Sequence, residues 1–223
     1  MVLLHGYLSM KETFIRQLEY FAPKMRVIAI DMRGFGKSEP LKTPYSLDDY
    51  RRDVYDFLTA SGVKKYSLVG HSFGGRVAVK LALFDKRVDN LILIGAAGIK
   101  PKRKPAYYFK VLKYKFLKRF KKNFNADKYG SDDYKKLDPV MKQSFVKIVN
   151  EHLNGVICGI KNRTLIISGD KDTETPPYFA KTFNKKIRGS ELYFVKGGGH
   201  FCFLKNYGEV NAVLNEFLKG GIK

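Results

Sequence analysis

Cysteines, acidic residues and long apolar runs are all scarce in this 223-residue chain, and each scarcity removes a class of protein. Two cysteines, Cys158 and Cys202, are too few and too unpatterned for a disulfide framework or a zinc site. They read as buried or free thiols, and no metal or cofactor is expected. No apolar run approaches the roughly 20 residues needed to cross a bilayer as a helix. No signal peptide precedes the first strand-like segment, so the expected location is cytoplasmic. Acidic residues number 21 against 42 Lys and Arg, a formal net charge of +21. That balance permits non-specific adhesion to nucleic acid, but no nucleic-acid motif accompanies it and no specific nucleic-acid partner is expected. Internal repeats and low-complexity tracts are also missing. What remains, at 44% hydrophobic content, suits one soluble domain with a sizeable core.

Short apolar strands alternate with amphipathic helices along the chain. Ser9 and Glu12 have capping-box spacing ahead of a helix through Phe14, Leu18 and Phe21, and Val27 to Ile30 reads as a strand. Ser46 and Asp49 open a second helix with a face of Leu47, Tyr50, Val54, Phe57 and Leu58. Further strands are expected at Asn90 to Ile94, Thr164 to Ser168 and Leu192 to Val195, with helices near Tyr178 to Phe183 and through Val210, Leu214 and Phe217. This alternation predicts an α/β fold with a doubly wound, mostly parallel sheet and a site at the strand C-termini.

The sharpest local signal is Gly70-His71-Ser72-Phe73-Gly74. Tyr66 to Val69 before it reads as a buried strand, and Arg76 to Phe84 after it as a helix with its apolar face at Val77, Leu81 and Phe84. A serine hydroxyl is a weak nucleophile at neutral pH, so it must be presented on a constrained turn beside a base. The G-x-S-x-G pattern between strand and helix supplies that turn. Gly70 and Gly74 are small because helix and strand must approach closely there.

Four further segments, in chain order, extend the signal: Val2-Leu3-Leu4-His5-Gly6-Tyr7, Asp31-Met32-Arg33-Gly34-Phe35-Gly36-Lys37-Ser38, Leu165 to Asp172, and Gly197-Gly198-Gly199-His200. With the serine turn, they resemble the α/β-hydrolase superfamily in its serine-nucleophile branch, over nearly the whole chain. The resemblance implies Ser72 as nucleophile, Asp172 as triad acid and His200 as base, in the order of that fold. Asp170, Asp172 and Glu174 crowd one loop, and Asp172 is the one that fits the family pattern from Gly169 to Pro176. His200 is expected to take the serine proton and return it to the leaving group, with Asp172 holding the tautomer. Backbone N–H groups of Tyr7 and Phe73 are expected to form the oxyanion hole, Tyr7 contributing by its backbone only. His5, Gly6, Gly70, His71 and Gly74 shape the loops, and Asp31 and Arg33 fix theirs. Cys202, two residues past His200, is not expected to be the nucleophile.

One departure stands out: only four residues precede the His-Gly pair, whereas family members usually begin with a further strand pair. Either the chain is a trimmed minimal version or Met1 is an internal methionine of a longer product; if the chain is trimmed, the strand at 26–30 is expected at a sheet edge, inviting dimerisation or aggregation. Residues 1–98 and 163–223 form the expected core, and 99–162 sit where the family places a helical lid. From Lys100 to Lys122 there are eleven Lys or Arg and no acid, with Phe109, Leu112, Phe116 and Phe120 at helical spacing. This basic helix has three readings: a pocket roof with solvated lysines, a face for anionic membrane surfaces, or a nucleic-acid contact. A second lid helix starts at Asp138-Pro139 and turns Met141, Phe145, Ile148 and Val149 inward. Phe109, Phe116 and Phe145 are candidate substrate-lining residues.

The implied activity is metal-free hydrolysis of an ester, thioester or related acyl bond in a small apolar or aromatic substrate, with a negative charge near the lysines as an option. Carbon–carbon bond hydrolysis or lyase chemistry with the same triad is the alternative. A non-catalytic scaffold binding anionic surfaces is the rival of another class. Epoxide hydrolase and dehalogenase chemistry is disfavoured because those branches place aspartate where Ser72 stands. The expected state is monomer or homodimer, with at most weak membrane association.

Overall fold

The computed structural model describes residues 1–102 and 132–220. Six strands form one sheet: β1 (Val2–Leu4), β2 (Ile28–Ile30), β3 (Tyr66–His71), β4 (Val88–Ile94), β5 (Arg163–Gly169) and β6 (Glu191–Val195). Their order is β2-β1-β3-β4-β5-β6, and every neighbouring pair is parallel. Among the described residues, β2 therefore lies at an edge of the sheet.

Both faces of this sheet are covered, which is why its strands read as continuous apolar runs. Leu4, Leu68, Leu91, Leu93 and Ile166 point into one core layer. Leu3, Val69, Ile92, Ile94, Leu165 and Ile167 point into the other. The first layer is closed by α2 (Leu47–Ala60), α3 (Phe73–Phe84) and α6 (Pro177–Lys186), the second by α1 (Ile15–Phe21) and α8 (Tyr207–Lys219). A short α7 (Cys202–Lys205) precedes α8.

Local chemistry decides the helix starts. Ser46 and Asp49 form the reciprocal capping box of α2. The corresponding box at Ser9 and Glu12 does not form. Asp31 captures the backbone N–H of Lys11 at 2.7 Å, the chain enters a 3-10 turn at Lys11–Phe14, and Ser9 Oγ donates to Thr13 Oγ1 instead. Two apolar faces are narrower than their periodicity predicts, since Phe57 is 48% and Phe84 56% exposed. Phe84 ends α3 beyond the sheet, edge-on to Tyr55 and under the Arg51 guanidinium. Phe57 faces an open groove of about 570 Å³ beside β2.

Two helices are described in the segment expected to form a lid, α4 (Asp132–Lys136) and α5 (Pro139–Asn150). Asp138 caps α5 by accepting from the N–H groups of Val140 and Met141, with Pro139 in the first turn. Met141 and Ile148 are buried, and Phe145 and Val149 half-buried. α5 is tied down along its length. Tyr7 Oη donates to the Met141 carbonyl at 3.3 Å, Tyr45 N–H to Ser144 Oγ at 2.9 Å, and Lys147 Nζ to the Pro44 carbonyl at 3.0 Å. At its C-terminal end, Arg76 Nη1 donates to the carbonyls of Ile148 and Glu151 at 2.9 and 2.7 Å. Phe109, Phe116 and the rest of the basic helix beyond Lys102 lie outside the described residues.

Candidate active site

The four loops leaving β1, β3, β5 and β6 meet at one end of the sheet, and each carries one of the residues singled out in the sequence. Ser72 follows β3 directly and adopts φ 51° and ψ −111°, a region that L-residues rarely occupy. Together with Leu8, it is one of the two non-glycine residues with positive φ among those described, and both border the same pocket. Such strain persists only where surrounding packing enforces it. Here α3 lies so close to the strands that a β-carbon on Gly70 would strike the Gly74 carbonyl, and one on Gly74 the carbonyls of Leu4 and His5. Although Ser72 is the N-cap residue of α3, its hydroxyl makes no capping bond. The side chain is half-buried in the pocket wall. Phe73 is the first residue of α3, so its N–H has no partner within the helix ladder.

Asp172 and His200 are brought together from the β5 and β6 loops. His200 Nδ1 lies 2.8 Å from Asp172 Oδ2, with both residues buried. The carboxylate also accepts from the Glu174 and Thr175 N–H groups at 2.9 Å each and from Thr175 Oγ1 at 2.7 Å. Burial pushes the Asp172 carboxyl up, but the hydrogen bonds from His200 and Thr175 outweigh it and hold it below the usual carboxylate range. An ionised Asp172 needs the proton of His200 on Nδ1, which leaves Nε2 as the proton-accepting atom facing the pocket. Glu174, the loop's other carboxylate at the pocket, approaches that atom, with Oε2 3.4 Å from Nε2. Asp170 instead accepts from the Gly197 N–H at 2.7 Å and takes no part.

The remaining residues set the walls. His5 is fully buried, with Nε2 accepting from Met32 N–H at 3.1 Å, so its Nδ1 donates to the Gly6 carbonyl at 2.7 Å. Burial lowers its pKa, consistent with a neutral loop brace. Asp31 braces the adjoining loop through the N–H groups of Lys11 and Lys37 and the Lys11 ammonium. His71 sits behind Ser72, and its Nε2 donates to the His200 carbonyl at 3.1 Å. Burial, then the nearby His200, push its pKa down to about 3. Burial and the Asp172 charge push the Cys202 thiol up to about 11, which removes it as a nucleophile. Among the described residues, no group of His, Cys, Asp and Glu is arranged to hold a metal ion.

Tyr7 also packs with its side chain: its ring lies against Phe35, Phe73 and Phe145 with centroids 5.0, 5.5 and 5.1 Å away, and its hydroxyl reaches Met141. One side chain thus joins the loop after β1, α3 and α5. Thr175 and the Glu174–His200 approach were not anticipated, because neighbours in an irregular loop carry no periodic signal. Gly6, Tyr7, Ser72 and His200 share a cavity of about 210 Å³ with Leu8, Tyr134, Leu137, Phe145 and Phe201. A serine on a strained turn, an imidazole braced by a carboxylate, and helix N-terminal N–H groups can together carry out acyl transfer.

Comparison with known proteins agrees with this arrangement. A family model described as alpha/beta hydrolase fold matches residues 1–133. The chain is 26% identical to the AB hydrolase superfamily protein YisY of Bacillus subtilis over 242 residues, covering 97% of this chain and 90% of that protein. It is 29% identical to the serine hydrolase BPHL of Homo sapiens over 231 residues, covering 98% and 78%. Among solved structures, the esterase EaEST of Exiguobacterium antarcticum superimposes with a TM-score of 0.78 at 26% identity, covering 98% of this chain and 91% of that one. On the family match and the sheet built around the serine turn, the chain belongs to the alpha/beta hydrolase family.

Proposed function

We propose that this chain is a serine hydrolase that cleaves an ester, thioester or related acyl bond through an acyl-Ser72 intermediate. The observation that carries the reading is the convergence on one pocket of a strained Ser72 and of His200 held at 2.8 Å by Asp172. Two of the similar proteins, one an esterase and one a serine hydrolase, are in keeping with it.

In this mechanism Ser72 Oγ bonds to the substrate carbonyl carbon while its proton passes to His200 Nε2. The carbonyl electron pair moves onto oxygen, where the N–H groups of Phe73 and Tyr7 receive it, each worth about 3 kcal/mol. Collapse breaks the bond to the leaving group, which takes the proton from Nε2. Water repeats the sequence to free the acid. Leu8, Leu137 and Phe145 give the pocket an apolar wall, and its volume of about 210 Å³ suits a short acyl group.

Intact-mass analysis after treatment with a fluorophosphonate, beside p-nitrophenyl ester assays, tests the reading. A single adduct on Ser72, absent from Ser72→Ala and His200→Ala, is the expected result. A folded wild type that takes no adduct and turns over no ester contradicts it, as does full turnover by Ser72→Ala.

A further inference from the structure

In a chain with 42 Lys and Arg against 21 Asp and Glu, the pocket around Ser72 is lined by no lysine or arginine among the described residues. Among the described residues, its one formally charged wall residue apart from histidine is Glu174. The Glu174 backbone is held in the turn, since its N–H donates to Asp172 Oδ1 at 2.9 Å. Its side chain is 63% exposed, and Oε2 lies 3.4 Å from His200 Nε2. At that exposure the carboxylate oxygens stay open to the pocket.

The atom beside Glu174 decides which part of a substrate it meets. Nε2 hands its proton to the departing oxygen, so the leaving group lies next to Nε2 at the moment the bond breaks. A carboxylate at this position adjoins the leaving group and not the acyl chain, which has the apolar wall of Leu137 and Phe145. An ammonium two carbons from the departing oxygen reaches it.

We infer that Glu174 is a specificity-determining residue that selects esters whose leaving alcohol carries a positive charge close to the ester oxygen. The inference rests on the serine-hydrolase reading above and names the substrate class of that same site. Attack and collapse are unchanged: the acyl group stays on Ser72 and the cationic alcohol departs with the Nε2 proton.

The test compares butyrylcholine with its uncharged isostere 3,3-dimethylbutyl butyrate in the wild type, Glu174→Gln and Glu174→Lys, each checked for folding and fluorophosphonate labelling. The ratio of kcat/KM for the two esters is the readout, because any change to the triad affects both. The wild type is expected to favour the cation by about three- to fivefold, the size of an exposed charge pair. Glu174→Gln brings the ratio near one, and Glu174→Lys takes it below one. A wild-type ratio of one, or a preference that Glu174→Gln leaves intact, overturns the inference while leaving ester hydrolysis standing. Failure of the wild type to label or to hydrolyse either ester removes the parent reading and the inference with it.

Discussion

The Thr175 hydroxyl sits between three partners: the Gly95 carbonyl at 2.9 Å, Asp172 Oδ2 at 2.7 Å and His200 Nδ1 at 3.2 Å. It has one hydrogen to give, so it orients the acid while the N–H groups of the same turn hold the other carboxylate oxygen. Thr175→Val should lower kcat/KM for a neutral short-chain ester by about tenfold, the cost of one lost hydrogen bond to a charged group, with Thr175→Ser restoring most of it. Asp172→Asn should lower kcat far more, by roughly 10³- to 10⁴-fold, because an amide favours the wrong tautomer. His71 acts on stability. Its pKa falls from the ordinary 6.5 to about 3 on folding, so the unfolded chain binds the extra proton between those values. The sign follows: stability is full above pH 6.5 and declines as pH falls toward 3. Between pH 6.5 and 5 this one group accounts for about 2 kcal/mol. Thermal melts of His71→Gln should show a shallower loss over that interval than the wild type, and parallel curves would contradict the assignment.

At the scale of elements, α3 joins the serine turn to α5. Its first turn must lie against β1, which is why Gly74 tolerates no side chain. Gly74→Ala should destabilise the fold by roughly 1–3 kcal/mol, as overpacking does, and lower the melting temperature accordingly. Two residues further on, Arg76 leaves α3 to cap the carbonyls at the end of α5. Lys80, one turn later, pairs with Glu151 at 2.8 Å and with Asp48 at 2.9 Å. Burial lowers the Arg76 pKa to about 10, so the guanidinium remains charged at neutral pH. Arg76→Met should cost about 1.5–3 kcal/mol of stability by stranding two buried carbonyls, read as a lower denaturation midpoint, and should raise KM by loosening α5 against Tyr7. Arg76→Lys should recover part of the loss, since both carbonyls are held by the single nitrogen Nη1 and an ammonium also offers more than one N–H donor.

For the whole molecule, the excess of 21 positive charges dominates the electrostatics. The ion pairs mostly lie on the surface, as with Arg16–Glu19 and Lys65–Asp89, where each contributes little. Self-repulsion of the compact state is the larger effect. Moderate sodium chloride should therefore raise the melting temperature relative to low-salt buffer, because screening weakens repulsion more than it weakens exposed pairs. A melting temperature that falls with salt would show that the ion pairs dominate.

Much of this was determined by the sequence alone, wherever the physics is local or periodic. The apolar runs of β3, β4 and β5 declare strands covered on both faces, Ser46-x-x-Asp49 and Asp138-Pro139 declare helix starts, and Gly70 to Gly74 declare a tight strand-to-helix turn. Where a neighbour remote in sequence competes, the local signal loses: Asp31 takes the Lys11 N–H, and the Ser9–Glu12 box does not form. The same limit holds at the site. Ser72, Asp172 and His200 were named from their motifs, yet only the tertiary structure places His200 on Asp172, Thr175 beneath both, Glu174 against Nε2 and the Tyr7 ring against α5. Those contacts join loops far apart along the chain or neighbours within an irregular turn, and neither carries a period or a spacing that a sequence can display.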